Sequence, residues 1–155
     1  MKILIATDGS TFSQQAIEKA CDLAKRMEDV SFRVISVYEA QVPMAAEPFA
    51  ISAEYYQQLD DLARRRATEA AQEGADLIKT RVRESTDVIP MIELGVPARV
   101  IVESAEDWGA DLVVVGSHGY GFWGRLALGS VSDAVVHHAP CSVLVVRSHT
   151  EEAEK

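Results

Sequence analysis

The glycine-rich segment between Asp111 and Val131, DLVVVGSHGYGFWGRLALGSV, holds the residues best suited to chemistry. Its glycines follow a short apolar run rich in β-branched residues, and a helical pattern begins at Ser130. They are Gly116, Gly119, Gly121, Gly124 and Gly129. Glycines allow the backbone to approach a ligand closely, and the N–H groups of a helix N-terminus attract negative charge. The segment therefore predicts an anion-binding site, in which Ser130 either caps the helix or directs its hydroxyl at the same anion.

Sequence motifs for efficient catalysis are absent around these glycines. No G-x-S-x-G turn surrounds Ser130, so this serine is not predicted to be a nucleophile. The GxxxxGK[ST] loop, whose lysine grips phosphates in P-loop enzymes, is missing as well. We therefore predict no catalytic residue, and we expect the site to bind an anion with at most slow turnover.

The first forty residues predict the elements that lead into this site. Lys2 to Ala6 reads as a strand, and apolar residues at helical spacing follow from about Phe12 to Met27, with Ser10 or Ser13 as the N-cap. Phe32 to Tyr38 predicts a second strand. Strand, helix and strand in this order form a right-handed βαβ unit.

The rest of the chain repeats the alternation of strands and helices. Glu39 to Ala53 shows no period, and we expect either a partial lid over the site or a mobile loop. Tyr55 to about Lys79 predicts a long helix, whose buried stripe includes Leu62. Further elements are a strand over Val88–Leu94 with Pro90 favouring a sheet edge, a helix from Pro97 to Gly109, and strands over Leu112–Val115 and Ser142–Val146.

Five strands that alternate with four helices indicate an α/β fold, a single-domain open parallel sheet. Ligands of such sheets bind beyond the carboxyl ends of the strands, where the strand order reverses. Asp8 follows the first strand and Gly116 ends the fourth, so both are candidates for that crevice. Asp8 can contact a ligand there or brace the turn into the first helix.

The chain resembles the universal stress protein family over nearly its whole length. The spacing Gly116-x2-Gly119-x9-Gly129-Ser130 is similar to the ATP-binding signature of that family. The flanking stretches VVVGSHG and GSVSDAVVHHAPCSVLVV, and the start IATDGS, are similar too. The resemblance implies a Rossmann-like sheet with strand order 3-2-1-4-5, which places the switch between the first and fourth strands.

The resemblance also implies which residues contact the nucleotide. Asp8 and Val37 would hold the nucleoside, and Ala6, Thr7 and Val115 would border it. The ribose and phosphates would be wrapped by Gly116, His118, Gly119, Gly129, Ser130 and Val131. His118 otherwise reads as an exposed loop histidine. Mg²⁺ would balance the phosphate charge, and ATP would act as a ligand that sets a regulatory switch in the stress response.

Composition limits the partners and the compartment. The 155 residues carry a formal net charge of −9, which opposes binding to nucleic acid or anionic lipid. No apolar run approaches the roughly 20 residues that span a bilayer, so membrane insertion is not expected. Cys21 and Cys141 lie far apart without a CxxC motif, which favours reduced thiols in the cytoplasm. We expect one domain over residues 1–147 and a disordered acidic tail over 148–155.

The last strand, Ser142 to Val146, predicts a homodimer. Its sequence SVLVV would form an exposed apolar sheet edge in a monomer, and such edges tend to associate. The resemblance implies the same contact, because the family forms homodimers through its last strand. Alternative functions remain a slow ATPase, a non-nucleotide dimeric interaction module, and a regulatory subunit of a transporter or signalling complex.

Overall fold

A computed structural model describes residues 1–40, 53–118 and 128–147. Gly119, most of the segment from Glu39 to Ala53, and the tail over 148–155 lie outside the described residues. Strands and helices alternate as expected. In chain order they are β1 (Lys2–Ala6), α1 (Thr11–Ala24), β2 (Ser31–Tyr38), α2 (Ala53–Arg81), β3 (Asp87–Leu94), α3 (Pro97–Trp108), β4 (Leu112–Gly116), α4 (Ser130–His138) and β5 (Ser142–Val146).

All five strands form one parallel sheet with the order β3-β2-β1-β4-β5. This confirms the predicted fold class and strand order. The central strand β1 is buried on both faces. Ile3 and Ile5 belong to the core on the α1 and α2 side, whereas Leu4 belongs to the core on the other side. The order reverses between β1 and β4, so a crevice opens beyond the carboxyl ends of these two strands.

Local signals fix the ends of the helices. Ser10 is the N-cap of α1, because its side chain accepts a hydrogen bond from the N–H of Ser13. Pro97 begins α3, and Gly109 ends it in the left-handed conformation with φ of 65°. Pro90 lies in the edge strand β3, as its missing N–H predicted.

The long helix α2 is buried along only part of its apolar stripe. The stripe is buried between Ala67 and Ile78. Leu62 is 45% exposed, so the prediction that it is buried was wrong. The reason is length: 29 residues of helix extend about 43 Å, whereas the eight residues of β2 extend about 26 Å. The N-terminal half of α2 therefore reaches past the strands. No helix among the described residues has the length and hydropathy to cross a membrane.

Candidate functional site

A cavity of about 440 Å³ lies at the carboxyl ends of β1 and β4, in the crevice where the strand order reverses. Ten of the eleven residues proposed from the sequence line it, and Gly119 is outside the described residues. The ten are Ala6, Thr7, Asp8, Val37, Val115, Gly116, His118, Gly129, Ser130 and Val131. The chain brings them together from β1, β2, β4 and α4.

Sequence reasoning missed five further lining residues: Ser13, Ile35, Pro97, Ile101 and Ser132. Two signals could have found the apolar ones. Ile35 lies two residues before Val37 in β2, so both side chains point to the same face of the sheet. Ile101 follows Pro97 by one helical turn in α3 and therefore shares its face.

The apolar part of the cavity forms a wall, and polar residues that follow the ends of β1 and β4 line the cavity as well. The wall consists of side chains from β2, β4 and α3, including Ile35, Val37, Val115 and Ile101. Among the described lining residues, Asp8 carries the only carboxylate, and none is a lysine or arginine. A cavity of this size and composition fits a ligand with an apolar ring at one end and polar groups at the other.

The turn after β1 is held by its own side chains. Asp8 Oδ1 accepts a hydrogen bond from the N–H of Ser10 at 3.0 Å, and Thr7 Oγ1 accepts one from Gly9 N at 3.2 Å. The Thr7 hydroxyl donates in turn to Ser13 Oγ at 3.1 Å. Asp8 thus braces the turn and also lines the cavity, so the two roles considered for it are compatible.

The two ends of the glycine-rich segment, residues 116–129, are joined to each other. The N–H of Gly129 donates to the carbonyl of Ser117 at 2.8 Å, and Ser132 Oγ donates to the carbonyl of Gly116 at 2.6 Å. His118 lies at the start of the segment, with Nδ1 at 2.9 Å from Ser117 Oγ. Its half-buried ring packs against Phe12 of α1 at a centroid distance of 5.6 Å. His118 is therefore not the freely exposed loop residue of the alternative interpretation.

The N-terminus of α4 points into this cavity without a side-chain cap. Gly129 is the N-cap with φ of −62° and ψ of 151°, and its position has no side-chain hydrogen bond to the helix. Ser130 is the first helical residue, so the structure excludes the N-cap, one of the two roles predicted for it. Its side chain lines the cavity instead. The backbone conformation of Gly129 is open to any residue, so φ and ψ do not require glycine there.

Gly116 has a packing role that the sequence did not reveal. A Cβ atom at this position would lie 2.9 Å from the carbonyl carbon of Phe12 and 3.0 Å from its oxygen. These contacts are with backbone, which cannot move aside as a flexible side chain can. Gly116 therefore allows the first turn of α1 to pack closely on the end of β4.

The chain is similar to known proteins both in sequence and in structure. The universal stress protein family matches residues 1–147. A universal stress protein of Methanocaldococcus jannaschii is 36% identical over 154 residues, which cover 97% of this chain and 84% of that relative. The solved structure of universal stress protein UspA from Lactobacillus plantarum has a TM-score of 0.76 and 26% identity, with 95% of this chain and 97% of that chain covered.

A second solved structure has a bound nucleotide. It is a universal stress protein in complex with cAMP, with a TM-score of 0.63 and 26% identity over 97% of this chain and 98% of that chain. The sequence similarity extends over nearly the full length, and the strand order is the one that the family resemblance implied. The chain belongs to the universal stress protein family.

Proposed function

We propose that the cavity binds an adenine nucleotide, ATP in particular, and that the bound nucleotide sets a regulatory switch. One observation carries the proposal: an apolar wall and an uncapped helix N-terminus face the same 440 Å³ cavity. A nucleotide has an apolar ring and an anionic phosphate chain, and these two surfaces match them. The cAMP complex of a related structure supports the proposal, because it places a nucleotide on this fold.

Each part of the ligand has a set of residues suited to it. Ile35, Val37 and Val115 offer apolar surface for the base, with Ala6 and Thr7 at its border. The first-turn N–H groups of α4 attract phosphate. Asp8 supplies one carboxylate at the cavity, and Mg²⁺ commonly binds through one carboxylate together with phosphate oxygens. Bound Mg²⁺ would neutralise phosphate charge near a protein of net charge −9.

The test begins with the freshly purified protein. Nucleotide released by denaturation is identified by mass spectrometry, and the stripped protein is then titrated with ATP in the presence and absence of Mg²⁺. We expect Mg²⁺-dependent binding that Gly129→Val removes, because the valine side chain would occupy the approach to the helix N-terminus. Phosphate release is followed in parallel to detect slow hydrolysis. No released nucleotide and no binding at millimolar ATP would contradict the proposal.

We also propose a homodimer through β5, because the two sheet edges differ in their backbone donors. The N–H of Gly95, just after β3, donates to Tyr38 O of β2. Every second residue of β3 therefore bonds to β2, and the residues between them, which include Pro90, direct their N–H and C=O positions away from the sheet. Pro90 has no N–H and weakens that edge for pairing. At the other edge, the N–H of Ser117 donates to Val146 O, so Val146 bonds to β4. Val143 and Val145 alternate with the bonding residues of β5, and both direct an N–H and a C=O group away from the sheet.

The oligomeric state tests this second proposal. Val145→Pro would remove an outward N–H group from the edge of β5, as Pro90 does at the edge of β3. It would not remove an N–H group that donates to β4. We expect a dimer for the native chain and a monomer for the variant in light scattering after size exclusion. Pro90→Val serves as the matched control at the opposite edge and should leave the dimer intact. A monomeric native protein would contradict the proposal.

The cytoplasm is the compartment that we propose. Both Cys21 and Cys141 are free thiols. Cys21 is buried, and burial raises its pKa to about 11, so the thiol stays protonated and unreactive at neutral pH. A thiol titration of denatured protein, purified without reductant, should find two thiols per chain, and a count near zero would contradict the prediction.

A further inference from the structure

Ser132, in the first turn of α4, has a buried hydroxyl that the proposed function does not use. Its side chain is 5% exposed, and its Oγ donates a hydrogen bond of 2.6 Å to the carbonyl oxygen of Gly116. Ser132 also lines the cavity. A buried hydroxyl bonded to the backbone of another element fixes the two elements relative to each other.

The elements joined in this way are the strand and the helix on either side of the glycine-rich segment. Gly116 is the last residue of β4, and Ser132 is the third residue of α4. Among the described residues, a backbone hydrogen bond from the N–H of Gly129 to the carbonyl of Ser117 also joins these two ends. Helix α4 has only nine residues, so its first turn is a large part of it. These two bonds therefore help to set the direction of its N-terminal N–H groups.

We propose that Ser132 is a positioning residue for phosphate recognition, an inference that rests on the proposed nucleotide binding. It acts through the carbonyl of Gly116, which holds the first turn of α4 so that the N–H groups of Ser130 and Val131 face the cavity. The apolar wall formed by Ile35 and Val37 belongs to another strand and does not depend on this bond. Loss of the hydroxyl therefore weakens binding of the phosphate and leaves binding of the nucleoside unchanged.

The experiment compares two ligands that differ by one phosphate. Adenosine and AMP are titrated calorimetrically into the native protein, Ser132→Ala and Ser132→Thr. We expect Ser132→Ala to lose about tenfold in AMP affinity, the size of one lost hydrogen bond, with adenosine affinity changed less than about twofold. Ser132→Thr keeps the hydroxyl and should restore the native ratio of the two affinities.

Controls separate this role from general stabilisation. Ser36→Ala removes another buried serine, 3% exposed and outside the cavity lining, and should leave the ratio of affinities unchanged. If Ser132→Ala does not fold, Ser132→Cys keeps the side-chain volume and weakens the hydrogen bond, so the same comparison applies. An unchanged ratio in a folded variant overturns the role of Ser132 alone. A native protein that binds neither adenosine nor AMP overturns this role, and the ATP titration decides the proposed function independently.

Discussion

The N-termini of α1 and α4 follow neighbouring strands at the same crevice, but they are completed in different ways. The first turn of α1 is closed by the chain itself: Ser10 Oγ accepts from the N–H of Ser13 at 3.3 Å, and the Ser13 hydroxyl donates to Ser10 O at 2.9 Å. The first turn of α4 has Gly129 at the N-cap, and no side chain caps its N–H groups. One helix start is satisfied internally, and the other offers its N–H groups to the cavity.

This difference shows how the same local architecture can serve structure at one place and binding at another. Every helix N-terminus leaves N–H groups without intrahelical partners, and a serine N-cap satisfies one of them. Where the N-cap is glycine, an external anion can take that place. The choice of residue at one position therefore separates a structural turn from a candidate phosphate site.

The largest expected effect comes from giving α4 a cap of its own. Gly129→Asp would place a carboxylate at the N-cap, and the φ and ψ of Gly129 accept an aspartate. Two like charges about 5 Å apart repel by about 3 kcal/mol at an effective dielectric constant of ~20, so we expect roughly a hundredfold loss of ATP affinity. The folded state should not be destabilised. Calorimetric titration and thermal unfolding measure both quantities.

Gly129→Asn is the control for this change, because asparagine caps a helix without adding charge. It should weaken ATP binding less than aspartate does, since it blocks N–H groups but does not repel phosphate. ATP affinity that is unaffected by both variants would show that phosphate does not bind at α4.

A change at Gly116 should affect the fold before it affects binding. Gly116→Ala would bring a Cβ atom to 2.9 Å from the backbone of Phe12, and overpacking of this kind costs about 1–3 kcal/mol. We expect a lower free energy of unfolding in urea. Gly74→Ala is the milder comparison, because its Cβ would lie 3.0 Å from the side-chain atoms Ile17 Cδ1 and Val34 Cγ1 and not against backbone. Equal stability of Gly116→Ala and the native protein would contradict the packing role.

The smallest effect is expected at the closed helix start. Ser10→Ala removes the N-cap of α1, which should lower the free energy of unfolding by about 1 kcal/mol. ATP affinity should change less than about twofold, because this N-terminus is satisfied by the protein and is not offered to the ligand. Urea unfolding and titration on the same sample test the two parts. A large loss of affinity with unchanged stability would mean that the two helix starts do not differ as described.

The fold could be predicted from sequence because each element carried its own signal. Short β-branched runs such as Leu112–Val115 indicated buried strands, and Pro90 and Gly109 marked an edge and a helix end. The exposure of Leu62 could not be predicted in the same way. Helical periodicity identifies an apolar face, but it does not say how far the neighbouring strands extend beneath it.

The candidate site was predicted in outline, and its hydrogen bonds were not. The strand order that the resemblance implied placed Asp8 and Gly116 at the ends of neighbouring strands, so their presence at one cavity followed from topology. The bond from Ser132 to Gly116 joins residues sixteen positions apart in the chain. Nothing in a serine on a short helix indicates which carbonyl it will reach, because that depends on how the helix packs.

The close contact between Gly116 and Phe12 has a consequence for the evolution of this fold. A relative that gave up nucleotide would still need glycine at the position of Gly116, because α1 would still pack on the end of β4. The φ and ψ of Gly129 do not require glycine, so another residue could replace it once the ligand was lost. When other members are sorted by function, the second of these glycines should be the informative one.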